Sequence, residues 1–202
     1  MTRKKPARLS TALRLPEGPK RTAAVAAWIQ GLFPEAVPIL VGGAAVELYT
    51  AGAYTTGDLD FVGEVPSSVA CALEAAGFHR EGRHWIHERG ELFVEFPGSH
   101  LENDETTAIL EVDGLRVLTL SPEDMIVDRL AAWQFWNSST DGASAFLIWR
   151  AQERKLDQGR LDSLAHRRKR GKALARLRGF SEDLLGRDPS PEELEEWASQ
   201  RP

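Results

Sequence analysis

Cysteine is nearly absent from this 202-residue chain: Cys71 stands alone, which excludes an internal disulfide and any cysteine-rich zinc site. No apolar run approaches the roughly 18 residues that a membrane span needs. The N-terminal stretch Met1-Thr2-Arg3-Lys4-Lys5-Pro6 has the charge of a secretory leader without an apolar segment behind it, so secretion is not expected and a cytoplasmic location is the default. No internal repeat is found. What is present is enough for a packed core, with 42% hydrophobic and 27% charged residues.

The formal charge of −5 is unevenly spread. Residues 1–21 hold seven Lys/Arg against Glu17, and residues 150–187 hold twelve Lys/Arg against five acids, so the remainder is strongly acidic. An acidic body with two basic arms is compatible with polyanion binding, because fields depend on patches rather than totals. Solvated tails and helix faces would give the same count.

Three regions follow from the patterning: a flexible basic arm over 1–20, an α/β domain over 21–120 and a helical region over 121–202. Val25, Trp28, Ile29 and Leu32 fall on one face of a helix ended by Pro34. Residues 38–41 read as a strand, 44–49 as a helix, 59–62 as a second strand and 69–76 as a helix stopped by Gly77. Further strands are expected at 84–87, 92–96, 108–112 and 115–120, the last two forming a hairpin around Asp113-Gly114. Ser121-Pro122-Glu123-Asp124 is a helix start, and helices are expected over 122–136, 141–156, 160–170 and 172–185, with a short one opening at Ser190.

The most informative stretch is Val41-Gly42-Gly43 followed by Asp58-Leu59-Asp60-Phe61. On a strand, residues i and i+2 share a face, so Asp58 and Asp60 point the same way about 7 Å apart. Two carboxylates so placed can share divalent cations, and hard oxygen donors favour Mg²⁺ or Mn²⁺. Gly42-Gly43 lies where a strand passes into a helix, a place where backbone can approach a ligand and helix N–H groups can meet a phosphate. Thr55 and Thr56 could donate hydroxyls to that phosphate or stabilise the turn. The five histidines show no metal-ligand spacing and are read as non-ligands.

The stretch from Leu40 to Gly63 resembles the signature of the polymerase-β-type nucleotidyltransferase superfamily: an apolar-Gly-Gly turn, a short helix, then Asp-x-Asp on the next strand. The similarity is closest to small bacterial nucleotidyltransferase-like proteins, including the abortive-infection toxin group. Gly82-Arg83-His84-Trp85, Val94-Glu95-Phe96-Pro97 and the segment from Ser121 to Ala132 are similar to theirs too, so the match covers roughly 38–136. The resemblance implies an α+β nucleotidyltransferase fold, with a short mixed sheet flanked by helices and a C-terminal helical region. It also implies transfer of a nucleoside monophosphate from an NTP to an acceptor hydroxyl. Asp58 and Asp60 take the metal positions, and Gly42 and Gly43 the phosphate-loop positions. A third carboxylate from a neighbouring strand is expected; Glu95 is preferred, on the face opposite Leu92, Val94 and Phe96, with Glu111 as its rival. Helices beside the site would bring Arg129, Arg150 or Lys155 to the γ-phosphate, and Trp133, Trp136 or Trp149 could stack a base or belong to the core.

A metal nuclease is disfavoured, because Phe96-Pro97 follows Glu95 in place of the usual Glu-x-Lys pattern. A catalytically silent binding module, one member of a toxin–antitoxin pair, is the alternative from another class. The acceptor is open among RNA, a protein hydroxyl and a small molecule. RNA is preferred, tRNA included, because Arg167, Arg168, Lys169 and Arg170 crowd cations onto one stretch, which suits phosphate contacts.

Overall fold

The computed structural model describes residues 8–202. The chain divides into two compact units, residues 1–120 and residues 121–202. The first is α+β and carries a seven-stranded mixed sheet; the second is helical.

Unit 1 runs α1 (Leu9–Ala12), α2 (Pro19–Gly31), β1 (Ile39–Val41), α3 (Gly42–Tyr49), β2 (Asp58–Val62), α4 (Ser67–Ala75), β3 (His79–Glu81), β4 (His84–His87), β5 (Leu92–Gly98), β6 (Thr107–Val112) and β7 (Leu115–Leu120). The strand order is β3-β4-β5-β2-β1-β7-β6. β2 lies antiparallel to β1 and parallel to β5, and β1 is parallel to β7. β2 is therefore central, and its alternation is clear: Leu59 and Phe61 are buried, while Asp58 and Asp60 occupy the other face. Val25 and Ile29 of α2, Val46 of α3, and Leu40, Val94 and Val117 of the sheet complete the core. Buried Gln30 ties α2 to β7 and to the residue just before β1. Its amide donates to Pro38 O (2.8 Å) and Leu118 O (2.7 Å) and accepts from Leu118 N–H (3.0 Å), so the polar group enters the core satisfied.

Two expectations change here. The basic arm expected to be flexible over 1–20 is ordered from residue 8 onward: Leu9 and Ala12 are buried in α1, and Pro19 starts α2. One helical turn is too short to display an apolar period, which is why composition alone suggested an arm. Arg3, Lys4 and Lys5 lie outside the described residues. The second change is β3, which has no expected counterpart because all three of its residues are exposed and carry no alternation.

Unit 2 contains α5 (Pro122–Trp136), α6 (Ser139–Gln152), α7 (Gln158–Arg167), α8 (Gly171–Asp183) and α9 (Pro191–Ser199). Ser121 caps α5, its hydroxyl accepting from Asp124 N–H, and Ser190 forms a reciprocal capping box with Glu193. Trp133 is fully buried and donates its indole N–H to Ala198 O at 2.6 Å, pinning α9 to α5. Gly142 admits that indole: a Cβ there would stand 2.9 Å from the ring.

The expected helix over 160–170 stops earlier. Lys169 takes a left-handed φ of 57°, its N–H bonds His166 O, and Arg170 N–H returns to Ala165 O. That is a Schellman-type stop, so residues 168–170 form a corner between α7 and α8. Lys155 likewise falls in the turn after α6, because that helix ends at Gln152. Among the described residues, no helix is long and apolar enough to cross a membrane.

Candidate functional site

The site is built by three adjacent strands of unit 1 and the turn that leaves one of them. β1 ends at Val41, whose register partner on β2 is Asp60. The chain then turns into α3 through Gly42, at φ 64°. The turn folds directly onto the acidic face of β2. A Cβ at Gly42 would lie 2.1 Å from Asp60 Oδ2, and one at Gly43 would lie 2.9 Å from Thr56 Oγ1. Both glycines are thus set by close approach, and Gly42 by backbone conformation as well.

Across the parallel pair β2–β5, Asp60 faces Glu95. β5 is an interior strand, flanked by β2 and β4, so Glu95 is no edge-strand charge. Its carboxylate is held from the neighbouring hairpin: the Arg83 guanidinium Nε lies 2.9 Å from one oxygen, and the imidazole Nδ1 of His84 lies 3.5 Å from the other. Asp58 is exposed on the same face as Asp60. Strand register therefore brings Asp60 and Glu95 side by side. Among the described residues, however, no three His, Cys, Asp or Glu side chains are gathered closely enough to hold a metal ion.

The rival Glu111 stands on β6, three strands from β2 and hence on the order of 14 Å away, where it meets Arg116 at 3.9 Å. It shares no position with Asp58 and Asp60. The donor set at Asp58, Asp60 and Glu95 is all oxygen and suits a hard divalent ion. The bare Cα of Gly42 lets the turn pack directly against the Asp60 carboxylate. In residue type and register the three fit such an ion; in the present side-chain arrangement Glu95 is committed to Arg83 and His84.

Beside the acidic strand opens a cavity of about 410 Å³, lined by Arg21, Thr22, Glu47, Thr55, Thr56 and Asp58 among others. Glu47 lies on α3 one turn beyond Gly43 and is 1% exposed. Burial pushes its carboxyl above the usual range, opposed by the Thr22 hydroxyl, which donates to Oε2 at 2.9 Å. Arg21 lines the same cavity and donates to Gly90 O. Thr56 Oγ1 accepts from Asp58 N–H at 3.3 Å, which is the turn-stabilising role, and Thr55 faces the cavity. Sequence reasoning passed over Arg21 and Glu47. The available signal was the spacing of Glu47 four residues after Gly43, on one helix face.

The remaining candidates belong to unit 2. Arg129 bonds Asp141 at 2.6 Å and lies 3.9 Å from Asp128. Arg150 is engaged by Asp188 at 2.9 Å and by Gly186 O. Arg167 donates to Ser163 Oγ at 2.7 Å, and Arg170 Nη1 donates to Lys169 O at 3.1 Å. Lys169 is exposed. Of the three tryptophans offered as base-stacking residues, Trp133 and Trp149 are core, and Trp136 is exposed.

No family model, curated protein or solved structure matches this chain.

Proposed function

We propose that the chain is a divalent-metal-dependent nucleotidyltransferase of the polymerase-β type, moving a nucleoside monophosphate from an NTP to a hydroxyl of RNA. The observation that carries this reading is the packing of the Gly42-Gly43 turn against Asp60, with Glu95 as Asp60's partner on the next strand. A strand-to-helix glycine turn is a phosphate cradle, and an acidic pair beneath it places oxygen ligands at the phosphates it would hold.

In this reading the first N–H groups of α3 and the hydroxyl of Thr56 orient the triphosphate. Asp58 and Asp60 would hold Mg²⁺ or Mn²⁺, with Glu95 as the third oxygen ligand when released from Arg83 and His84. The bound ion supplies charge neutralisation on the triphosphate and acidifies the acceptor hydroxyl. The acceptor oxygen bonds the α-phosphorus, the bond to the bridging oxygen of the pyrophosphate breaks, and Glu95 takes the hydroxyl proton. RNA is supported as acceptor by the cations of the α7–α8 corner. The test is incubation with each α-labelled NTP, bulk bacterial RNA and Mg²⁺. Label should enter RNA and be lost in the Asp58→Ala, Asp60→Ala double variant. No transfer with any NTP, or transfer undiminished in that variant, overturns the reading.

One observation favours a second reading. Glu95 is paired with Arg83 and His84, an arrangement that suits a module which binds nucleotide without turning it over, such as one member of a toxin–antitoxin pair. Calorimetry separates the two: NTP and Mg²⁺ affinity without label transfer supports the binding module.

A further inference from the structure

The end of α5 carries a feature that the transfer site does not use. Trp136 is 81% exposed, the most exposed aromatic side chain among those described, and its neighbour Phe135 is 57% exposed. Three residues earlier on the same helix, Trp133 is fully buried, so α5 turns from core to surface within one turn. Exposing two consecutive large rings forgoes burial of roughly 150–250 Å² each and needs a reason.

The surroundings are cationic. The Arg170 guanidinium lies 4.2 Å from the centre of the Phe135 ring, a stacked cation–π contact that brings the α7–α8 corner to the end of α5. Arg201 reaches the same end, donating to Gln134 O at 3.2 Å and to Phe135 O at 3.5 Å. Lys169 projects from the corner into solvent. Burial first, and then the nearby Arg168 charge, lower the pKa of Arg170, so a like charge is held close there. Cations gathered on Phe135 and the last carbonyls of the helix that ends in a solvent-facing indole suit a chain of phosphates carrying flat, unpaired bases. Stacking on an indole requires a base free of a duplex, which selects a single strand. A membrane surface would also accept Trp and Arg, but it wants a broader apolar face than two rings, one of them covered by a guanidinium.

We infer that Trp136, with Phe135, Lys169, Arg170 and Arg201 around it, is a docking platform for single-stranded RNA, with one base stacked on the Trp136 indole and the flanking phosphates on the cations. The inference rests on the RNA-acceptor reading above and extends it to a residue class that phosphate contacts alone would not require. Aromatic stacking of this kind contributes roughly five- to a hundredfold in affinity per base.

The test uses the full chain, a fluorescein-labelled 12-nucleotide oligouridylate and no NTP or metal, with binding read by anisotropy at two salt concentrations. Trp136→Ala should weaken binding by roughly five- to a hundredfold with the salt slope unchanged, and Trp136→Phe should retain most of the affinity. Inorganic polyphosphate, which has charge but no bases, should bind wild type and Trp136→Ala alike. Because Trp136 is exposed, both variants should melt with wild type, which separates lost binding from lost fold. Equal oligouridylate affinity in wild type and Trp136→Ala overturns the inference. So does Trp136-dependent binding of phosphatidylserine vesicles by a chain that leaves the oligonucleotide unbound. Because binding is read here without NTP and label transfer is read in the separate assay above, a chain that binds through Trp136 but does not transfer label overturns only the enzymatic reading. One that transfers label with no Trp136 dependence overturns only the platform.

Discussion

Gly42 and Asp60 are packed so closely that one methyl group could not be added between them: a Cβ on Gly42 would sit 2.1 Å from Asp60 Oδ2. The contact joins the glycine turn to the acidic strand, so one substitution should disturb both. Gly82 has almost the same φ (60° against 64°) and nothing within 4 Å of its absent Cβ. Gly82→Ala therefore reports backbone conformation alone, about 1–2 kcal/mol. Gly42→Ala should cost more by the Asp60 contact. In the Gly42→Ala, Asp60→Ala double variant the extra loss should largely vanish, giving a coupling that denaturant melts can measure.

Arg83 and Glu95 form the second informative pair. If Glu95 is a latent metal ligand, removing its cationic partner should release it. Arg83→Ala is expected to tighten Mn²⁺ binding, and Glu95→Gln to weaken it, both read by paramagnetic broadening or calorimetry. Equal Mn²⁺ affinity in wild type and both variants would assign Glu95 to the sheet's electrostatics.

Glu47 makes stability depend on pH in a definite direction. Burial raises its carboxyl pKa above the unfolded value, so the native state binds the proton more tightly than the unfolded chain. Its contribution is therefore most favourable at low pH and falls as pH rises from the ordinary carboxylate range through the raised native value. Glu47→Gln, neutral at every pH, should flatten this part of the stability profile and be relatively more stable near neutrality. A profile in which the two proteins run parallel from pH 4 to 8 would contradict the expectation.

At the start of α9, Glu193 receives the Arg187 guanidinium at 2.6 Å and the Ser190 N–H at 2.8 Å, which hold its carboxyl down to about 2. A depressed carboxyl stabilises the native state above the unfolded pKa, and that contribution is lost as pH falls through about 2. Carboxyl-carbon NMR should show Glu193 titrating near that value, and Arg187→Ala should move it up toward the other glutamates.

Trp133→Phe should destabilise unit 2 by about 2–4 kcal/mol, because it removes the indole bond to Ala198 O and leaves a void against Trp197, whose ring centre lies 4.6 Å away. Trp136→Phe, the same chemical change on the same helix, should leave the melting temperature nearly unchanged.

Features that depend on a few neighbouring residues were legible in the sequence. Asp113-Gly114 marked the β6–β7 hairpin because both residues take positive φ there, 53° and 77°, which few other residue pairs tolerate. Ser121 and Ser190 marked helix starts because a hydroxyl at that position answers an otherwise unpaired N–H. The face shared by Asp58 and Asp60 followed from the two-residue period of a strand.

Tertiary structure decided everything that depends on which strand or helix lies alongside. No local pattern says that β5 inserts between β4 and β2, which makes Glu95 the neighbour of Asp60, or that β7 pairs with β1, which leaves Glu111 on β6 at the sheet's edge. The closeness of Gly42 to Asp60, the burial of Glu47 beside a cavity, and the contrast between core Trp133 and solvent-facing Trp136 are likewise settled by packing across long sequence separations. The break at residues 168–170 sits between these cases. The basic run there was plain to read, but a left-handed Lys169 is stabilised by hydrogen bonds back to Ala165 and His166 and by the stacking of Arg170 on Phe135, 35 residues away. Sequence thus fixes the chemistry available at each position through short-range sterics and hydrogen bonding. Which of those groups meet is set by burial of apolar surface, a property of the assembled chain.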